Sequence, residues 1–298
     1  MKEDNVLQVY YGEKLVGTLA LTADYKAAFQ YAQEWLENGF SISPFSLPLK
    51  NQVFVPTKDY FSGLFGVFAD SLPDNWGRLL LDRLIRAHQQ NPDELTILDR
   101  LAIVGSSGMG ALTYYPEKSF DEETGKLDLD ELAEECQKIL NTEYSDKLDE
   151  LYHLGGTSGG ARPKIMTTIH GEEWIIKFPA HVDGKDTGKM EYDYSCCAKQ
   201  CQIAMSETKL FPSDRCKGYF GTKRFDRRPG GKRIHMLTAA ALLELDFEQP
   251  SLDYHSLMKL TKILTRDNEK DVENMFRRMC FNVFAHNRDD HSKNFTYL

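Results

Sequence analysis

Leu154-Gly-Gly-Thr-Ser-Gly-Gly-Ala-Arg-Pro-Lys-Ile-Met-Thr-Thr-Ile169 runs through His170-Gly-Glu-Glu173 into Trp174-Ile-Ile-Lys-Phe178. Apolar and β-branched residues fill Ile165 to Ile169 and Trp174 to Phe178, with a glycine-containing turn between them, so the pair reads as a β-hairpin. A glycine-rich loop therefore leads into a hairpin that carries Lys177 on its second strand. Glycine lets the backbone approach a phosphate closely, and lysine supplies a compact positive charge. Together they point to the phosphates of a bound nucleotide. Lys177 by itself would say little, because most strand lysines face water.

The residues downstream of the hairpin strengthen that reading. Met190 to Cys201 reads as a helix with Glu191 in its first turn, and Glu191 is the candidate partner for Lys177, with Asp193 as the alternative. In protein kinases such an ion pair fixes the lysine that grips the phosphates. A first-turn carboxylate also complements the helix dipole without any function. Lys217 to Arg227 reads as a strand ending in the turn Arg228-Pro-Gly-Gly231, the place of a hinge between two lobes. Residues 234 to 245 and 252 to 285 have helical apolar spacing, and Phe295 to Leu298 enter a strand. Just before that strand, Arg288-Asp-Asp-His-Ser-Lys-Asn294 reproduces the R-D-x-x-x-x-N core of a kinase catalytic loop. There the Asp orients a substrate hydroxyl and the Asn holds magnesium. Composition alone would equally allow a solvated turn at this place.

Upstream of the glycine loop, Val6 to Tyr11 and Leu15 to Leu21 read as a hairpin closed by Gly12-Glu-Lys14. A helical or loop stretch holds Ala27, Ala28, Ala32 and Trp35, and Ser41 to Val55 reads as extended segments broken by Pro44 and Pro48. Leu72-Pro-Asp-Asn-Trp-Gly-Arg78 opens a capped amphipathic helix that packs on this N-terminal unit. Gly105 to Gly110 stands between a helix and a strand, the reverse of the order in a phosphate loop, and reads as a structural turn. Ser119 to Glu150 is acidic and helical at Leu129 to Leu140 and Lys147 to Leu151, and reads as a linker region.

The 298 residues suffice for two domains, and a net charge of −9 with pI near 5.4 speaks against a chain that neutralises nucleic-acid phosphates along its whole surface. Charges interrupt every apolar run at the N-terminus, so neither a secretory signal nor a membrane span is expected, and a cytoplasmic location is the default. Six cysteines at uneven spacing suit neither a disulfide framework nor a zinc site, and Cys196, Cys197 and Cys201 read as ordinary thiols.

Several stretches together resemble the HipA family of bacterial serine/threonine protein kinases, the toxin half of HipA/HipB toxin–antitoxin pairs. They are Leu72 to Arg78, Gly110-Ala-Leu, Gly159-Gly-Ala-Arg-Pro-Lys164, Ile175 to Pro179, Met190-Glu-Tyr, Lys223-Arg-Phe-Asp-Arg227 and Asn287 to Phe295. Residues 1 to 65 fit the family only loosely. The resemblance implies an α+β, kinase-like two-lobe fold, with an N-terminal subdomain over 1–118 and a kinase-like domain over 119–298. It implies ATP and Mg2+ as cofactors. Asp289 would be the catalytic base, with Lys293 beside it and Asn294 as a magnesium ligand. Thr157, Ser158, Gly159, Gly160, Ala161 and Lys164 would cover the nucleotide, Lys177 with Glu191 would grip its phosphates, and Lys223 and Phe225 would meet it from the hinge side. Thr157 and Ser158 match the family's inhibitory autophosphorylation site.

The partners implied are a protein substrate such as an aminoacyl-tRNA synthetase, and a HipB-like antitoxin through which any DNA contact is indirect; no membrane is involved. Family members continue past the catalytic loop to a second metal-binding Asp and further helices, whereas only Phe295-Thr-Tyr-Leu298 stand after Asn294 here. The expectation is therefore a truncated C-terminal lobe. A catalytically incomplete chain that docks an antitoxin or a completing subunit is the competing expectation.

Overall fold

A computed structural model describes residues 6–118, 128–180, 182–246, 248–249 and 251–298. The N-terminal hairpin forms as expected, with β1 (Val6–Tyr11) antiparallel to β2 (Lys14–Leu21). The alanine-rich stretch after it is divided. Ala27–Tyr31 is a strand, β3, and only Gln33–Asn38 is helical, α1. Helix propensity favours a helix at Ala27 and Ala28, but alternate burial of Ala27, Phe29 and Tyr31 against the sheet decides for the strand. Then come β4 (Val53–Phe54), α2 (Gly66–Ala69), α3 (Asn75–Ala87), α4 (Ile97–Val104) and β5 (Leu112–Tyr115). Thr96 and Asp99 close a capping box at the start of α4. These strands make an antiparallel sheet in the order β4-β3-β2-β1-β5.

The second half begins with α5 (Leu129–Leu140) and α6 (Leu148–Gly155), followed by the expected hairpin β6 (Lys164–Ile169) and β7 (Glu172–Lys177). Next are α7 (Thr187–Gln200), β8 (Thr208–Phe211) and β9 (Tyr219–Lys223), which complete an antiparallel sheet of order β6-β7-β9-β8. The helical lobe consists of α8 (Ala239–Leu243), α9 (Tyr254–Leu264) and α10 (Asn268–Phe284), framed by β10 (Leu237–Thr238) pairing with β11 (Thr296–Tyr297).

The core does not divide at residue 118. One cluster joins Val9, Leu19, Phe29, Phe68 and Leu101 of the first half to Leu237, Leu242, Leu257, Leu260 and Phe295 of the second. Burying a side chain of that size contributes about 1.5–3 kcal/mol. The second-half residues therefore contribute on the scale of a whole domain's net stability. A second cluster packs α5 and α6 on one face of the β6-β7-β9-β8 sheet through Leu132, Cys136, Ile139, Leu151, Ile165, Trp174 and Ile176. Helix α5 is thus part of that lobe rather than a linker. Helix α3 contributes Trp76 and Leu80 to the same cluster, so it too belongs to this lobe and not only to the N-terminal unit.

The Arg224-Phe-Asp-Arg227 stretch locks the two halves together. Asp226 is fully buried and accepts from Arg224 Nε at 2.9 Å, Arg224 Nη2 at 2.8 Å, Arg227 Nη1 at 2.6 Å and the Gly110 amide at 2.8 Å. Arg227 also donates to the carbonyls of Gly110 and Gly108, and Arg233 donates to that of Ser106. The Gly105 to Gly110 turn is therefore structural: it presents its backbone to a buried charge cluster of the other half. Burial alone would raise the Asp226 carboxyl, but Arg224 and Arg227 outweigh it and hold the group below the usual carboxylate range.

Candidate active site

The glycine loop, the β6–β7 hairpin, α7 and the 287–294 loop converge. Lys164 on β6 lies directly opposite Lys177 on β7, so both ammonium groups stand on one face of the sheet. Lys177 Nζ is 2.9 Å from Glu191 Oε2 and 5.4 Å from the centre of the Phe220 ring. Glu191 Oε2 is buried and accepts no aligned hydrogen bond among the described residues, so the Lys177 charge is what compensates it. Because α7 starts at Thr187, Glu191 sits in its second turn rather than its first. A helix-dipole explanation for the carboxylate falls away, since that effect is confined to the first turn. The alternative partner, Asp193, is taken by Lys189 one turn before it.

Lys164 is buried and donates to the Gly159 carbonyl. Its burial, with the Lys177 charge opposite, pushes its ammonium down to about 8. Gly160 has φ +89°, a conformation that a side chain would strain, and its amide points at the Asp74 carboxylate, 3.0 Å from Oδ2. Arg162 makes a two-pronged pair with Asp183, at 2.9 and 3.0 Å. Asp183, then Glu191 and Asp289, raise the Arg162 guanidinium above its ordinary value. Thr157 and Ser158 are both buried, donating to the carbonyls of Ser107 at 3.0 Å and Gly155 at 2.6 Å.

The 287–294 loop is seated on the helical lobe. Asn287 Nδ2 donates to Asn282 of α10, and Tyr254 of α9 donates to Asp290 at 2.7 Å. Asp289 leaves its side chain 81% exposed, with His291 Nε2 3.4 Å away. Asn294 Nδ2 donates to the Asp289 carbonyl at 2.6 Å, which ties the two residues together and leaves the Asn294 side-chain oxygen as an acceptor. Lys293 pairs with Asp74 at the start of α3.

Lys223 does not join this group. It opposes Trp174 on β7, and alternation puts both on the face turned towards α5, where Lys223 pairs with Glu172. Phe225, beyond the end of β9, is 43% exposed. Among residues that sequence reasoning missed, Asp74 matters most. It lies within Leu72 to Arg78, a stretch conspicuous in the sequence but explained there as a helix start. Asp74 makes no side-chain cap bond to α3, and its two oxygens go instead to Gly160 and Lys293.

The lysines, Arg162 and the loop amides suit a polyanion. Asp289 and Asn294 offer oxygen ligands of the kind a hard divalent cation takes alongside phosphate oxygens and water. Among the described residues, no group of three or more His, Cys, Asp or Glu side chains has the arrangement of an all-protein metal site, and no helix is long and apolar enough to cross a membrane.

Comparison with known proteins agrees with this architecture. The HipA N-terminal domain family matches residues 7–115, and the HipA-like C-terminal domain family matches residues 156–298. No curated protein matches the chain by sequence. Among solved structures, a chain from the Shewanella oneidensis MR-1 complex of the toxin–antitoxin system HipA, HipB and its operator DNA is similar in fold. It has a TM-score of 0.68 at 21% identity, over 97% of this chain and 72% of that one.

Proposed function

The chain belongs to the HipA family, and from that premise we propose that it is a protein kinase that transfers a phosphoryl group from ATP to serine or threonine. The observation that carries the reading is the half-buried Lys177–Glu191 pair beside a glycine loop that meets Lys293 of the 287–294 loop at the Asp74 carboxylate. Lys177 holds phosphate oxygens, and Glu191 holds Lys177 in place. The Thr157 to Lys164 loop covers the nucleotide with its amides. Asp289 orients the substrate hydroxyl and takes its proton, with Lys293 beside the transferring group. Magnesium, carried by Asn294 and phosphate oxygens, would supply the charge that neutralises the phosphates.

Thr157 and Ser158 fit an inhibitory modification. Their hydroxyls are buried, and a phosphate of about −2 charge cannot be housed in a pocket of carbonyl oxygens. Phosphorylation at either residue would expel the loop and dismantle the nucleotide cover. The partner we propose is a HipB-like antitoxin that makes any DNA contact itself, and the substrate is a protein, with aminoacyl-tRNA synthetases as the first class to test. A second reading, a catalytically incomplete chain that docks another protein, draws on the exposed Phe276, Val283 and Phe284 along α10.

Intact mass after incubation with magnesium and ATP separates the two readings. The kinase reading expects added phosphate, mapped to Thr157, Ser158 or a supplied protein. Asp289→Asn is expected to leave nucleotide affinity within about twofold while lowering transfer by roughly 10²-fold or more. Undiminished transfer in that variant would place the base elsewhere.

Lys164 gives a second handle. A phosphate beside an ammonium favours its charged form, so binding restores a proton that burial and Lys177 have weakened. At a pH equal to the value of about 8 for Lys164, ATP binding is expected to take up about half a proton through this group. Calorimetry in buffers of different ionisation enthalpy reads this uptake directly, and Lys164→Met should lose that contribution.

A further inference from the structure

Asp74 has no role in the proposed reaction, yet it touches two groups that do. Its Oδ2 accepts from the Gly160 amide at 3.0 Å, and its Oδ1 accepts from Lys293. The loop amide and the ammonium, which the proposed reaction reserves for phosphate, thus converge on one carboxylate from a different part of the chain. The surroundings fix that carboxylate in place. Trp76 donates its amide to the Gly160 carbonyl at 3.2 Å, and a Cβ on Gly77 would stand 2.5 Å from the Gly156 carbonyl oxygen. The first turn of α3 is therefore pressed directly against the glycine loop, with no room for rearrangement by side-chain motion alone. The Trp76 ring is buried in the core beneath the loop. Asp74 and Lys293 are both largely enclosed, at 18% and 17% side-chain exposure, so water screens their interaction little.

We infer that Asp74 is an internal stand-in for phosphate, which latches the glycine loop to the catalytic loop in the nucleotide-free protein and must yield both donors when nucleotide binds. The inference rests on the kinase reading for the identity of the displacing anion, but the latch itself does not. An amide and an ammonium aimed at one point form an anion site, and a fixed carboxylate already fills it. Nucleotide therefore competes with a tethered anion, and its apparent affinity is reduced by the fraction of molecules in which the latch is open. The N-terminal segment that carries Asp74 thereby sets how readily the site loads.

Asp74→Asn tests this with little risk to folding. It preserves shape, keeps an acceptor for Gly160, and removes no cap from α3, because Asp74 makes none. Two measurements separate the latch from the nucleotide reading. In the nucleotide-free protein, amide hydrogen exchange over 157–164 is expected to quicken about tenfold in the variant. Unchanged exchange would overturn the latch, whatever ATP does. By calorimetry with Mg-ATP, the variant is expected to bind about tenfold more tightly than the unmodified chain. Quickened exchange with equal or weaker ATP binding would overturn displacement and leave Asp74 a strut. Quickened exchange with no ATP binding in either protein would overturn the phosphate stand-in together with the kinase reading, while the tie between the two loops stood.

Discussion

Asp226→Ala is expected to cost about 3–5 kcal/mol of folding stability, the largest effect of any single substitution proposed for this protein. The carboxylate is completely buried between Arg224 and Arg227, themselves nearly buried, and it also accepts the Gly110 amide. Its removal strands two guanidinium groups and one amide away from water. Replacing the whole cluster with apolar residues of similar volume would cost less, because buried ion pairs barely outweigh their own desolvation. Chemical denaturation of the single variant measures the loss. A change below about 1 kcal/mol would show that water reaches the cluster. The sign of the pH effect comes from the depressed Asp226 carboxyl: its contribution is complete above the ordinary carboxylate value and is lost as pH falls through the folded-state value. Acid should therefore loosen the contact between the Gly105–Gly110 turn and the rest of the protein only below the range in which ordinary carboxylates titrate.

Lys177→Ala is expected to weaken ATP binding by roughly 10²-fold or more, the loss of a charge-assisted contact in a partly enclosed site. The same substitution leaves the buried Oε2 of Glu191 without its compensating charge, so distortion as well as the missing ammonium would lower affinity. Lys177→Met combined with Glu191→Gln removes both charges at once and separates the two causes. If the double variant folds with unchanged thermal stability and still fails to bind, the lysine itself is the phosphate ligand. Unchanged nucleotide affinity in either variant would refute the assignment and leave the pair a structural one.

Much of the site is legible in the sequence because its parts are local. A glycine loop, a hairpin, a lysine and a helix succeed one another within residues 154–200, and alternation along the strands fixes which side chains share a face. Lys223 shows the same rule neglected: its register opposite Trp174 turns it away from Lys177. The first turn of α7 is hidden because Thr187-Gly188-Lys189 resembles a loop by composition, although tertiary contact holds it helical. The strand Thr208–Phe211 is hidden because four residues between polar turns carry almost no periodic pattern. Asp74 is out of reach for a different reason. Its partners lie 86 and 219 residues further along the chain, and no local pattern encodes such a meeting.

The core that joins the first sheet to Leu237, Leu242, Leu257, Leu260 and Phe295 has a consequence for the birth of the molecule. A ribosome delivers the chain from its N-terminus at about 5–20 residues per second, so the five-stranded sheet emerges on the order of ten seconds before Phe295 can reach it. Throughout that interval its apolar face lacks at least part of the second-half set that closes it. The nascent sheet is the stage at which chaperones would have most to hold, and growing chains stalled short of the last strand should be more open to protease than the finished protein.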